Sequence, residues 1–119
     1  MKCEIEYTDE FEAWWTSLNE AEQDAVAASV GQLEKLGPSL RFPYSSGIVT
    51  SRHDHLRELR IQHKGQPYRA LYAFDPRRMV ILLIGGNKTN DARWYETFVP
   101  LADKLYDQHL ELLKKEGLL

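Results

Sequence analysis

The period of the apolar positions changes along this chain, and each change marks an element. From Lys2 to Tyr7 polar and apolar residues alternate, with Cys3, Ile5 and Tyr7 on one side, the period of a half-buried strand. The spacing then becomes helical. Phe11, Trp14, Trp15 and Leu18 follow a capping pair at Asp9 and Glu12, and Val26, Val30 and Leu33 follow a second pair at Asn19 and Glu22. Gly37-Pro38 ends that second helix. Leu40 to Asp54, with Pro43, Ser45, Ser46 and Gly47, reads as an irregular surface loop. From Leu56 the period returns to two. Leu56 to His63 and Tyr68 to Phe74 are joined by a turn at Lys64-Gly65-Gln66-Pro67, and Asp75-Pro76-Arg77-Arg78 leads into the apolar run Met79 to Ile84. Gly85-Gly86-Asn87 is expected to break this strand. Asn90 and Asp91 would cap a short turn through Trp94 and Tyr95, and Pro100, suited to a first helical position, opens a last helix bearing Leu101, Leu105 and Leu112. The predicted order is β-α-α-β-β-β-α, an α+β fold with a three-strand meander at its centre.

Composition narrows the class. At 119 residues, 43% of them hydrophobic and 28% charged, the chain is expected to form a single globular domain over 1–119 rather than a disordered segment. It has no run of 18 apolar residues to span a membrane, and its first residues, MKCEIEYTDEFEAW, lack the apolar stretch of a signal peptide. Cys3 is the only thiol, so an intrachain disulfide is impossible and a cytoplasmic location fits best. Glu4 and Glu6 beside it would raise its pKa, which makes Cys3 a buried small hydrophobe rather than a nucleophile.

Charge changes the picture more. Between Arg41 and Arg93 ten basic residues face four acidic ones, a local balance of +6, whereas residues 1–40 carry −7 and residues 94–119 carry −2. A basic middle third in an acidic chain points to one surface that meets an anion. The alternation then sorts these cations. Arg60 shares a sheet face with Glu58, opposite Leu59 and Ile61, and Arg69 lies on the returning strand, with Lys88 beyond the third. These three can converge on one sheet face near Trp94 and Tyr95, which suits phosphates and stacked bases. The competing reading pairs Arg60 with Glu58 or a helix carboxylate and lets Arg69 merely snorkel.

Other motifs exclude more than they suggest. Gly85-Gly86-Asn87-Lys88-Thr89 fails as a phosphate-binding P-loop, because Asn87 precedes the lysine and Leu82 occupies the earlier glycine position. His53 and His55 lie two apart, with neither a clear third ligand nor a cysteine pair to make a metal site, although a histidine near a phosphate could act in proton transfer. A Gly-x-Ser-x-Gly elbow is absent, so a hydrolase triad has no support.

The run Leu56-Arg-Glu-Leu-Arg-Ile, a turn, Tyr68-Arg-Ala-Leu-Tyr-Ala-Phe, and an apolar strand ending in Gly-Gly-Asn-Lys-Thr resembles the RelE/ParE superfamily of bacterial toxins. It is most similar to the HigB-like branch, which includes phage-related Gp49-like proteins. The resemblance implies a RelE-like fold with two N-terminal helices on one face of a small, mainly antiparallel sheet and a C-terminal helix. It also implies the toxin of a toxin–antitoxin system, an endoribonuclease that cleaves messenger RNA on the ribosome. No metal or other cofactor is implied. A 2′-hydroxyl attacks the adjacent phosphate while cations stabilise the added charge and an acid protonates the leaving 5′-oxygen. By position, Arg60 and Arg69 take phosphate and transition-state stabilisation, and Lys88 the same role or proton transfer. Tyr95 and His55 are acid/base candidates, and Arg52, Arg57, Thr89, Arg93 and Trp94 are expected to contact RNA. Many relatives carry two consecutive lysines where this chain has Asn87-Lys88; with fewer cations, docking should be weaker or more local.

The implied partners are a helix-turn-helix, HigA-like antitoxin, messenger RNA and the ribosome, with operator DNA a further candidate ligand of the toxin–antitoxin complex. A ParE-like inhibitor that acts by binding DNA gyrase, or a non-catalytic member whose function is complex formation, are the alternatives.

Overall fold

A computed structural model describes residues 2–119. Strand β1 (Ile5–Tyr7) leads into helices α1 (Asp9–Ser17) and α2 (Glu20–Leu36), then β2 (Ser45–Gly47), β3 (Arg57–His63), β4 (Gln66–Phe74), β5 (Val80–Asn87) and α3 (Trp94–Lys115). The five strands form one sheet in the order β1-β5-β4-β3-β2, with β1 parallel to β5 and every other pairing antiparallel. The α+β architecture matches the expected one, with one strand added. That strand, β2, lies within the segment read as an irregular loop. Ser45-Ser46-Gly47 has no apolar alternation to reveal it, and pairing with β3 through Ser45–Leu59 and Gly47–Arg57 makes it a strand.

Each face of the sheet has its own core. Leu59, Ile61, Tyr68, Ala70, Tyr72 and Leu82 pack with Phe11, Val26 and Leu33 of α1 and α2. Leu71, Ala73, Ile81, Leu83 and Ile84 pack with Trp94, Val99, Ala102 and Leu105 of α3 on the opposite face. A register shift between Leu71 and Tyr72 resets the alternation, so Leu83 and Ile84 both join the α3 side. Beyond it, Gly85 faces Trp14 of α1 and Gly86 faces Trp94 of α3.

Several local expectations are corrected. Gly85-Gly86-Asn87 does not break β5, because the ladder to Ala70, Arg69 and Tyr68 continues through it. Bare Cα atoms are needed there, since indole rings lie on the strand from both faces. The turn after β3 is two residues, not four. Lys64 (φ 52°) and Gly65 (φ 76°) suffice, and Gln66 and Pro67 already pair with His63 and Gln62. Helix α1 is capped by Thr8 rather than Asp9: its hydroxyl accepts from Phe11 N and donates to Leu83 O, tying the helix to β5. Asn19 and Glu22 do form the expected reciprocal cap of α2, and Gly37 ends that helix at φ 52°. Helix α3 starts at Trp94, and Pro100 lies inside it. Burial of Trp94 and Val99 draws the preceding turn into the helix despite the imino acid.

Candidate functional site

The register of β3 and β4 sets Arg60 directly opposite Arg69, whose neighbour on β5 is Gly86. Two guanidiniums side by side repel, and the structure separates them with a carboxylate. Glu58 Oε2 accepts from Arg60 Nη1 at 3.2 Å and from Ser46 Oγ at 2.6 Å, while Oε1 accepts from the Tyr95 hydroxyl at 2.5 Å and lies 3.3 Å from Arg69 Nε. Glu58 is 6% exposed and Arg69 4%. Ser46 is the direct cross-strand neighbour of Glu58, so three strands and the first turn of α3 each contribute to the cluster.

Lys88 completes it from just beyond β5. Its amide donates to Pro67 O, and its ammonium lies 5.0 Å from the centre of the Tyr95 ring. Asn87 shapes this turn, its Oδ1 accepting from both Thr89 N and Thr89 Oγ1. Burial and then the charges of Arg69 and Arg60 push the Lys88 pKa down against an opposing pull from Glu58. Burial and the hydrogen bond to Glu58 push the Tyr95 phenol up. The two shifts run in opposite senses, towards easier loss of the Lys88 proton and tighter retention of the Tyr95 proton. Arg60, Arg69 and Lys88 line one cleft of about 740 Å³ together with Pro43, Tyr44 and Gln62.

The remaining sequence candidates go elsewhere. Trp94 is 2% exposed, stacked on Phe98 and seated on Gly86, so it is core and offers no face to a base. Arg57 lies on the α1–α2 face, where its Nε donates to Ser45 Oγ. Arg52 pairs with Asp107 of α3, and His53 hydrogen-bonds the same carboxylate at 2.8 Å. These contacts, with Ser51 on buried Asp103, fasten the loop before β3 to α3. His55 and Arg93 are exposed and take no part in the cluster's hydrogen bonds or ion pairs. Cys3 is half-buried rather than buried; burial raises its pKa first, followed by the charges of Glu4 and Asp75.

Sequence reasoning treated Glu58 only as a partner that would neutralise Arg60 and did not foresee Ser46. It also missed Phe42, which is 70% exposed with the Arg60 guanidinium 5.1 Å from its ring centre, and Tyr44, which is 51% exposed at the cleft. These are the open aromatic faces beside the cations.

Residues 13–107 match the family model described as phage derived protein Gp49-like. The chain belongs to the Gp49-like family. Among relatives of this Gp49-like protein are two Mycobacterium tuberculosis proteins named for the toxin HigB. HigB2 is 36% identical over 82% of this chain, and HigB3 is 38% identical over 78% of it. The matched region spans half the length of HigB2 and 81% of HigB3. The fold is similar to that in the archaeal RelE–RelB complex from Pyrococcus horikoshii OT3, with a TM-score of 0.56 and 15% identity over 76% of this chain and 99% of that one. The HigB-like resemblance of the sequence thus holds for the family, and the RelE-like one for the fold.

Proposed function

We propose that this Gp49-like protein is the toxin of a toxin–antitoxin pair and cleaves messenger RNA held in the ribosome. The observation that carries the reading is the convergence of Arg60, Arg69 and Lys88 on one cleft, with Tyr95 behind it against Glu58 and Lys88. An RNA strand enters along the cleft with a base on Phe42 or Tyr44, and its scissile phosphodiester meets the two guanidiniums. The 2′-oxygen attacks the adjacent phosphorus as its hydroxyl proton passes to solvent. The bond from phosphorus to the 5′-oxygen breaks, and Lys88 donates the proton that lets that oxygen leave, giving a 2′,3′-cyclic phosphate and a 5′-hydroxyl. Arg60 and Arg69 stabilise the additional negative charge at phosphorus, which is where electrostatic preorganisation has its largest effect. The names of the HigB relatives and the RelE–RelB pairing of the structural neighbour support an antitoxin partner, expected as a neighbouring helix-turn-helix protein.

Purified protein added to translating ribosomes, followed by mapping of message ends, tests this directly. Wild type should cut, and Arg60→Ala and Lys88→Ala should each lose about 100-fold or more, the usual size of a lost charge-stabilising or proton-transfer group. Equal end patterns for wild type and both variants would refute the ribonuclease. Inhibited supercoiling with intact message would instead indicate a gyrase-binding protein.

A further inference from the structure

Glu58 sits where a phosphate would be held best. Its carboxylate lies between guanidiniums that the β3–β4 register places side by side, and Ser46 and Tyr95 fix its two oxygens from opposite sides. The fit is nevertheless incomplete. Arg69 Nε is 3.3 Å from Oε1 without the alignment of a hydrogen bond, in a side chain only 5% exposed. Among the described residues it is the buried side-chain donor that finds no acceptor. A buried charged donor left unsatisfied is costly, and a planar carboxylate already shared by three other donors cannot turn to meet it. A tetrahedral phosphodiester offers acceptors in more directions and would satisfy Arg69 Nε as well as Arg60.

We infer that Glu58 is a built-in competitor for the substrate: its carboxylate fills the anion seat between Arg60 and Arg69 in the free protein, and an RNA phosphate must displace it to be bound. The inference rests on the RNA reading of this cleft and adds a rule for selecting substrates. An attached carboxylate competes at a high effective concentration, so RNA free in dilute solution is disfavoured. RNA held in place by a larger assembly competes on better terms. The residue that neutralises the cluster at rest thereby sets the threshold for using it.

Glu58→Gln keeps the shape and an acceptor for Tyr95 but removes the charge. The probe is a fluorescein-labelled single-stranded 2′-O-methyl oligoribonucleotide, which lacks a free 2′-hydroxyl and cannot be cleaved, followed by anisotropy at fixed ionic strength. Glu58→Gln should bind it about tenfold more tightly than wild type, the change expected when one like charge leaves the neighbourhood of a bound phosphate. Ser46→Ala, which only loosens the grip on Oε2, should tighten binding about threefold and serves as the second test should Glu58→Gln fail to fold by circular dichroism. Equal or weaker binding by the folded variants would overturn the inference, making Glu58 a strut that positions the guanidiniums. Failure of the probe to bind any of the proteins would overturn it too. Cleavage is scored separately on ribosomes. Tighter binding by proteins that never cut message would sink the ribonuclease reading and leave the competitor standing; cutting without tighter binding would do the reverse.

Discussion

Gly86→Ala should destabilise the protein and disturb the site, whereas Gly31→Ala should stabilise it. A methyl group on Gly86 would lie 2.7 Å from Trp94 Nε1 and 3.1 Å from Cζ2, well inside contact distance. Trp94 cannot easily retreat, because it is buried and stacks on Phe98 with ring centres 4.7 Å apart. Relief therefore moves the first turn of α3 and carries Tyr95 away from Glu58. Overpacking of this kind costs about 1–3 kcal/mol. The smaller entropy of an unfolded chain with alanine returns about 0.4–1 kcal/mol, leaving a net loss of about 1–2 kcal/mol.

An unfolding entropy of about 2.1 cal/mol/K per residue over 119 residues converts that loss to a fall of about 4–8 °C in Tm. Gly31 lies on the exposed side of α2 with no atom within 4 Å of an added Cβ. There the helix preference for alanine should raise Tm by about 2–4 °C. Calorimetric melts measure both shifts, and near-ultraviolet circular dichroism reports the packing of the indoles. If Gly86→Ala melts at or above wild type with an unchanged aromatic spectrum, the seating of Trp94 on a bare backbone is the wrong explanation for this glycine.

The other predictions concern protons and salt. Burial pushes the Asp75 carboxyl up, but hydrogen bonds from the Arg77 and His109 side chains and from the Met79 and Arg77 amides outweigh it and hold the pKa below the ordinary carboxylate range. A depressed pKa gives stability that is complete above the unfolded value of about 3.9 and is lost as pH falls through the folded value. Urea melts below about pH 4 should therefore show a steep loss in wild type, and Asp75→Asn should flatten that limb while costing about 3 kcal/mol at neutral pH; an unchanged acid limb would refute the assignment. If Lys88 is the proton donor, message cleavage should fall as pH rises through its lowered pKa, and Lys88→Met should lose that alkaline limb along with about 100-fold in rate. A limb that persists in Lys88→Met would assign the proton to another group. Binding of the uncleavable RNA should follow salt with a log–log slope of about −1.4 to −2, two or three phosphate contacts on a single strand; a slope beyond about −4 would mean a much wider basic footprint.

The meander was legible because its alternation is clean and its turns are short. Leu59 and Ile61 fixed one face of β3, and the opposite face had to carry Glu58 and Arg60. The same parity should have kept Arg57 out of the site, since it shares a face with Leu59. Loop chemistry was not legible at all. Arg52 and His53 are drawn to Asp107, a residue 54 positions beyond His53 whose place depends on how α3 docks. Trp94 looked like a stacking platform because its role depends on the Gly86 backbone beneath it, a fact of packing rather than of pattern. Ser46 escaped for a related reason: a three-residue strand of small polar residues exists only through its partner.

The basic surplus of the middle third dissolves in the same way. Arg77 is held by Glu6 and buried Asp75, Arg52 by Asp107, and Arg57 faces the other side of the sheet. Arg60, Arg69 and Lys88 remain at the cleft, set against the one carboxylate of Glu58. Their positions are fixed by central strands and by α3, whose far end is anchored through His109 on Asp75. A cluster this small and rigid can orient one phosphodiester to within the tolerance that catalysis requires. It lacks the row of cations that would gather a long polyanion from solution. On the proposed ribonuclease reading, affinity for the message would come from outside the cleft, and few charges with Glu58 as a competitor would suit a substrate delivered by the ribosome.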